Sequence, residues 1–300
     1  MLIQKNWSVG EILRRTWRIN LIILGEVGIV VLGYHYFVQD DFVVPISVAA
    51  ILGTAIAFFI GFTNNQAYDR WWEARKVWGM IVNDSRSWAR SVLTYWDEGD
   101  PKHTETKHRM VRRHLAWLHC VKNHLRGLES TTYAVYLNAD DREKVRDSKH
   151  QPNTILLMQS QDIHRGLKEK KLDPFAFKAL DEALVRMTDQ MGMCERIKNT
   201  VFPTSYVFFT KFFIFLFISL NAISIHAILG WWAILFGWII GYVFYTTFYN
   251  GLTIMNPFEN LPSDTPMSAL TRTLERNLLE MLDEPDLPES LEPIHGEYLL

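Results

Sequence analysis

Residues Phe58–Gly79 read FFIGFTNNQAYDRWWEARKVWG. The first five are apolar enough for a bilayer, and the rest carry Asp69, Arg70, Glu73, Arg75 and Lys76 among tryptophans. No turn signal separates the two parts. The stretch therefore predicts one helix that leaves lipid and continues into water. Upstream, FVVPISVAAILGTAIAFFIGF (residues 42–62) supplies the roughly 20 apolar residues that a span requires. Downstream, the pattern carries the helix to about Trp96, ahead of the acidic turn DEGDP at 97–101.

Three other stretches have the length and character of a span: Leu21–Val38, Tyr206–Leu229 and Gly230–Met255. The four form two hairpins, one turning at Gln39-Asp40-Asp41 and the other near His226–Gly230. An all-α membrane protein follows, because a soluble core has little use for four such helices. Of 31 Lys and Arg residues, only Lys211 lies within a span and neither hairpin turn holds any. The positive-inside rule then puts both termini and the central segment 63–204 in the cytoplasm, with the chain in the cell's inner membrane. Arg14, Arg15 and Arg18 interrupt the first apolar run, and no small-residue cleavage site follows it, so no cleavable signal is expected.

The cytoplasmic segments, 63–204 and 256–300, read as helical, with sparse Gly and Pro. Val111, Leu115, Leu118, Val121 and Leu125 recur at helical spacing within a helix of about Thr104–Leu128. TTYAVYL (131–137) is ambiguous, and Asp140–Lys149 reads as a short charged helix. Asn153 is the expected cap of a helix over Thr154–Glu169. Asp173-Pro174 opens another that reaches Asn199. After the last span, Asn256-Pro257-Phe258 stops the helix, and Thr265-Pro266 starts an amphipathic one with Leu270, Leu274, Leu278 and Met281 on one face. The Pro-broken acidic tail from Glu284 is expected to be extended. Because membrane and cytoplasmic parts share a helix, residues 1–300 read as a single unit.

Little in the chain points to catalysis. It has no phosphate-binding glycine loop, no nucleophile elbow and no H-E-x-x-H. The formal net charge of −2 offers no global field for nucleic acid. The two cysteines, Cys120 and Cys194, cannot build a disulfide framework. Cys120 and His124 stand four residues apart and can share a metal, but further ligands are not evident. Neither enzyme activity, cofactor nor metal is expected. Glu26 and Lys211 lie inside spans. They either mark a functional path, or Lys211 snorkels while Glu26 pairs with it or with another donor.

The second span has its own pattern. Thr54, Phe58 and Phe62 fall at i, i+4 and i+8 on one helix face, beside the small residues Gly53, Ala57 and Gly61. A tight-packing stripe beside an aromatic one suits identical helices ringed around an axis, and it also suits ordinary packing or lipid contact.

The same segment resembles the signature of the bestrophin family of ion channels. Phe58, Gly61 and Phe62 match its F-x-x-G-F, and Arg70-Trp71-Trp72 match its R-W-W eight residues after the second aromatic. Asn256-Pro257-Phe258 is similar to the family's N-P-F, and Asp286-Leu287-Pro288 with Glu292-Pro293 to its D-L-P…E-P tail. The likeness covers essentially the whole chain and is strongest to the bacterial branch. It implies a homopentamer in the lipid bilayer that conducts monovalent ions, leaning to anions such as chloride. Five copies of the second span would line a hydrophobic neck at Thr54, Phe58 and Phe62. A cytoplasmic constriction would fall on Ile197, with Arg70, Trp71 and Trp72 in a structural role. The run of acids that forms a calcium clasp in eukaryotic members is missing here, where ENLPSDTPMS has only Glu259 and Asp264. Three alternatives remain at this point. One is a cation-permeable channel. Another is a transporter or exporter using Glu26, Lys211 and His226, which would want inverted repeats that spans one and two do not show against three and four. The last is a non-conducting scaffold or sensor, which leaves the 54/58/62 stripe unexplained.

Overall fold

The computed structural model describes residues 9–38, 43–96 and 101–300. In chain order the elements are α1 (Val9–Gly33), running into a π-helical turn at Tyr34–Val38, and α2 (Ile46–Tyr95). Then come α3 (Pro101–Arg126), a 3₁₀ turn at Thr132–Tyr136, α4 (Ala139–Arg146), α5 (Gln151–Lys168) and α6 (Pro174–Asn199). The chain continues with α7 (Thr204–Leu229), α8 (Trp232–Ile254) and α9 (Met267–Glu280). Among the described residues the only β pairing is an isolated bridge between Ile294 and Tyr298, in the otherwise irregular tail. Four described helices are long and apolar enough to cross a membrane: Thr16–Val38, α2, α7 and α8. The expected turn at Gln39–Asp41, the residue Phe42 and the acids at 97–100 lie outside the described residues. The helical part of the second span begins at Ile46, four residues later than expected. Pro45 accounts for this, because it has no N–H to give and its carbonyl accepts the Val48 N–H at 2.9 Å.

The described residues fall into two compact units. One, here the span unit, holds residues up to Arg70 with Val201–Asn256, and the body unit holds Trp71–Thr200 with Pro257–Leu300. In lipid, helices gain nothing from apolar burial alone, so close backbone approach has to hold the span unit. Gly237 and Gly241 on α8 provide it. A Cβ at Gly237 would stand 3.0 Å from Val27, and one at Gly241 would stand 2.8 Å from Ile23 and 3.0 Å from Ile218. Those side chains, with Ile56, Ile60, Phe217 and Phe248, form the interior of this unit.

The body unit packs as a soluble protein does. Trp78 and Trp88 of α2 and Trp117 of α3 are fully buried, each contributing about 2–3 kcal/mol by its removal from water. Asp173 caps α6 as the sequence predicts, its Oδ1 accepting from the N–H of Phe175 and Ala176. Helix α5 differs from expectation. It starts at Gln151, three residues early, and His150 caps it in place of Asn153. Pro152 fits the first turn without a donor, so the helix extends back until His150 Nδ1 can accept the Asn153 N–H at 3.2 Å. Helix α9 packs the expected Leu270, Leu274 and Leu278 against the core, and Met281 falls just past its end. Met267, Thr271, Leu274 and Leu278 are buried while Met281 is exposed. On the adjoining face buried Glu275 accepts from the Tyr136 hydroxyl and pairs with Arg272 at 2.6 Å.

Two buried polar groups on α3 decide much of the body unit's stability. Arg113 lies between Asp141 (2.6 Å) and Asp162 (2.5 Å), joining α3 to α4 and α5. Removing one carboxylate from such a buried set typically costs about 3–5 kcal/mol. His114, next in sequence, has no hydrogen-bond partner on either ring nitrogen and stacks on Trp117 with centroids 5.2 Å apart. Burial pushes its pKa down to about 3 from an ordinary 6.5. The unfolded chain therefore takes up the proton first. Stability is whole above pH 6.5 and falls as the pH drops from there towards 3. At pH 4 this group alone removes about 3 kcal/mol. Melting of the detergent-solubilised protein at neutral and acid pH tests it. The His114→Phe variant is expected to lose markedly less stability on acidification than the native chain. Equal losses would rule out His114 as the responsible group.

Candidate functional site

Helix α2 has two faces. One is buried at Ile56, Ile60, Thr63 and Ala67 in the span unit and again at Ala74, Trp78, Ile81, Ser85 and Trp88 in the body unit. The other is uncovered within a single chain and carries Thr54, Phe58 and Phe62, spaced four residues apart. Phe58 is 72% exposed and Phe62 45%. The Thr54 hydroxyl donates to the Ala50 carbonyl at 2.9 Å on the exposed side of the helix.

The aromatic rings on this side are held laterally. Phe59 and Phe62 both contact Tyr206 at the start of α7, at centroid distances of 5.9 and 5.8 Å, and Phe202 packs edge-on against Tyr206 at 5.8 Å. Sequence reading placed Tyr206 only as the first residue of a span. Its contact with Phe62 joins residues far apart in the chain and leaves no local signal. The small-residue stripe divides. A Cβ at Gly53 would come 2.8 Å from the Phe217 ring, so Gly53 is used inside the chain, whereas a Cβ at Gly61 would meet nothing. Asn64 donates to the Thr247 carbonyl at 3.1 Å, fixing α2 to α8 just beyond Phe62. The facing position on α8 must be glycine, since a Cβ at Gly251 would overlap the Asn64 side chain.

Past the uncovered stripe, Trp71, Trp72, Pro257 and Phe258 lie in the body unit. Trp71 Nε1 donates to the Ser263 carbonyl at 2.8 Å, and its ring stacks on the exposed Trp72 with centroids 6.2 Å apart. Phe258 is buried in the body core, while Asn256 is exposed and the Pro257 carbonyl accepts the Thr265 N–H at 3.2 Å. In the loop after them, Glu259 pairs with Lys198 at 2.7 Å and Asp264 accepts the Leu261 N–H at 3.0 Å. Burial pushes the Asp264 carboxyl up from the usual carboxylate range, against the hydrogen bonds from the loop backbone that hold it ionised. Ile197 is 4% exposed and belongs to the body core, one residue after Arg196, which pairs with Glu73 of α2. Arg70 is half-buried at the end of the span unit. The charges inside the spans have separate surroundings. Glu26 accepts from Ser219 Oγ at 2.9 Å, Lys211 is exposed, and His226 Nδ1 donates to the Gly230 carbonyl at 3.0 Å in the turn between α7 and α8.

Residues 6–280 match the sequence model of the Bacterial/Fungal Bestrophin protein family. The chain belongs to that family. It is 31% identical over 238 residues to a voltage-dependent anion channel-forming protein of Nostoc sp., covering 78% of this chain and 76% of that protein. It is 32% identical over 240 residues to a protein of the same description from Salmonella typhi, covering 80% and 77%. The crystal structure of a bacterial bestrophin homolog from Klebsiella pneumoniae superposes with a TM-score of 0.82 over 89% of this chain and 98% of that one, at 25% identity. This bestrophin is thus a membrane protein of a channel family and not an enzyme. The role of Trp71 can be checked directly. Trp71→Phe keeps the ring stack and deletes the bond to Ser263, and it is expected to cost about 1 kcal/mol in thermal unfolding of the solubilised protein. Unchanged melting would show that the loop holds without it.

Proposed function

We propose that this bestrophin is a homopentameric channel that conducts monovalent ions, anions such as chloride in preference, through a hydrophobic neck. The observation that carries the proposal is the uncovered stripe of Thr54, Phe58 and Phe62 on the helix that otherwise buries one face along its whole length. Gly61 adds to it. Nothing in its own chain calls for a glycine there, so the space it leaves suits a neighbouring copy. The names of the relatives support an anion path, and the distribution of Lys and Arg supports an inner-membrane orientation with both termini in the cytoplasm. The share that α2 has in both units supports reading the chain as one functional unit.

Five phenylalanines at one level make a ring that blocks ions by dewetting when narrow and passes them when slightly wider. The ring edge is electropositive, so edges turned to the axis favour anions, and weakly hydrated anions lose least on leaving water. The second constriction is assigned to the C-terminal turn of α6, which carries Ile197. The proposed constricting residue stays Ile197, whose side chain is only 4% exposed within its own chain.

The test is electrical. Purified protein in planar bilayers is expected to carry chloride-dependent current, with a reversal potential that follows the chloride gradient. Phe58→Ala combined with Phe62→Ala is expected to raise conductance and weaken selectivity. Currents identical to the native ones would take these residues out of the neck, and a reversal potential that follows sodium would establish a cation path. A measured mass other than five chains would remove the pentamer.

A further inference from the structure

Away from α2, the body unit assembles two imidazoles and a carboxylate from distant parts of the chain. His124 lies in the last turn of α3, His150 caps α5 and Glu195 lies near the end of α6. Their ligand atoms all lie within 4.8 Å of one another, the one such group among the described residues. His150 Nε2 is 2.9 Å and His124 Nε2 3.4 Å from the same oxygen, Glu195 Oε1. The two rings stand 4.8 Å apart, tilted by 47°. All three side chains are partly exposed, so a solute can reach atoms that three helices hold in place. The sequence paired His124 with Cys120. The structure leaves Cys120 out of the group, and burial pushes its thiol up to about 12, away from the thiolate a metal takes.

We propose that His124, His150 and Glu195 form a binding site for a first-row transition-metal dication of the zinc class. Two imidazole nitrogens and a carboxylate oxygen match the donors zinc takes, and three protein ligands leave a fourth position for water. Calcium and magnesium, which take oxygen ligands, are disfavoured by the two nitrogens. The protons can be followed. His150 Nδ1 accepts the Asn153 N–H, so without metal the ring proton sits on Nε2 and points to Glu195. An ion at that point takes the Nε2 lone pair. The proton then resides on Nδ1, and the Asn153 N–H turns to water. Metal binding thus exchanges the cap of α5 for a tie between α3, α5 and α6. The site stands independently of conduction, because binding is measured without flux.

The experiment uses the full-length, tag-free protein in detergent, titrated with Zn²⁺ by calorimetry and with Co²⁺ by visible absorption. One ion per chain is expected, with the intense Co²⁺ bands of a four-coordinate site. His150→Asn keeps a capping side chain while removing the imidazole, and Glu195→Gln keeps the shape while removing the charge. Each is expected to weaken binding by more than about 100-fold without changing metal-free melting. His124→Gln gives the same reading if one of these fails to fold. Absence of stoichiometric binding, or native affinity in the variants, overturns the site and leaves a hydrogen-bonded cluster only.

Discussion

The fold depends on one backbone requirement. Within lipid, each peptide group has to find its hydrogen bond inside its own segment, and α2 satisfies this by remaining a helix from Ile46 to Tyr95. The residues on its buried face obey the same rule. Thr63 and Ser85 sit among apolar neighbours yet are both fully buried, because their hydroxyls donate to the Phe59 and Ile81 carbonyls one turn back, at 2.9 and 2.6 Å. A polar side chain bonded to its own helix adds no unsatisfied group to either unit.

The two units are each held by different forces. The span unit relies on contact distance, with Gly237 and Gly241 letting Val27, Ile23 and Ile218 reach the α8 backbone. The body unit relies on removal of aromatic surface from water and on charges buried in matched sets, such as Arg113 with Asp141 and Asp162. Phe58 and Phe62 belong to neither scheme, being large, apolar and uncovered in their own chain, as are other span residues such as Ile51 and Phe208.

The fold class, the spans and the α6 cap were legible because each depends on residues close in sequence. Apolar runs of span length, the absence of a breaker after Phe62 and the Asp173-Pro174 pair act locally. What escaped depends on distance through space. Capping of α5 by His150 required knowing how Pro152 would seat, and the bond from Tyr136 to buried Glu275 joins residues 139 apart. Tyr206 beside Phe62, and His150 with Glu195 beside His124, unite residues from separate helices. Ile197 is 4% exposed within its own chain. A position one or two residues from an exposed neighbour can still point into the core, and only the helix phase decides which.

The unbroken course of α2 also restricts how such a gene can change. Each residue advances a helix by about 100°, so one codon gained or lost between Trp78 and Trp88 would turn the later side chains of α2 in the body unit to a different face from the earlier ones. Trp88 and Val92 would leave the interior that Ala74 and Trp78 share with them. Point substitutions can accumulate along this segment, but its length is frozen.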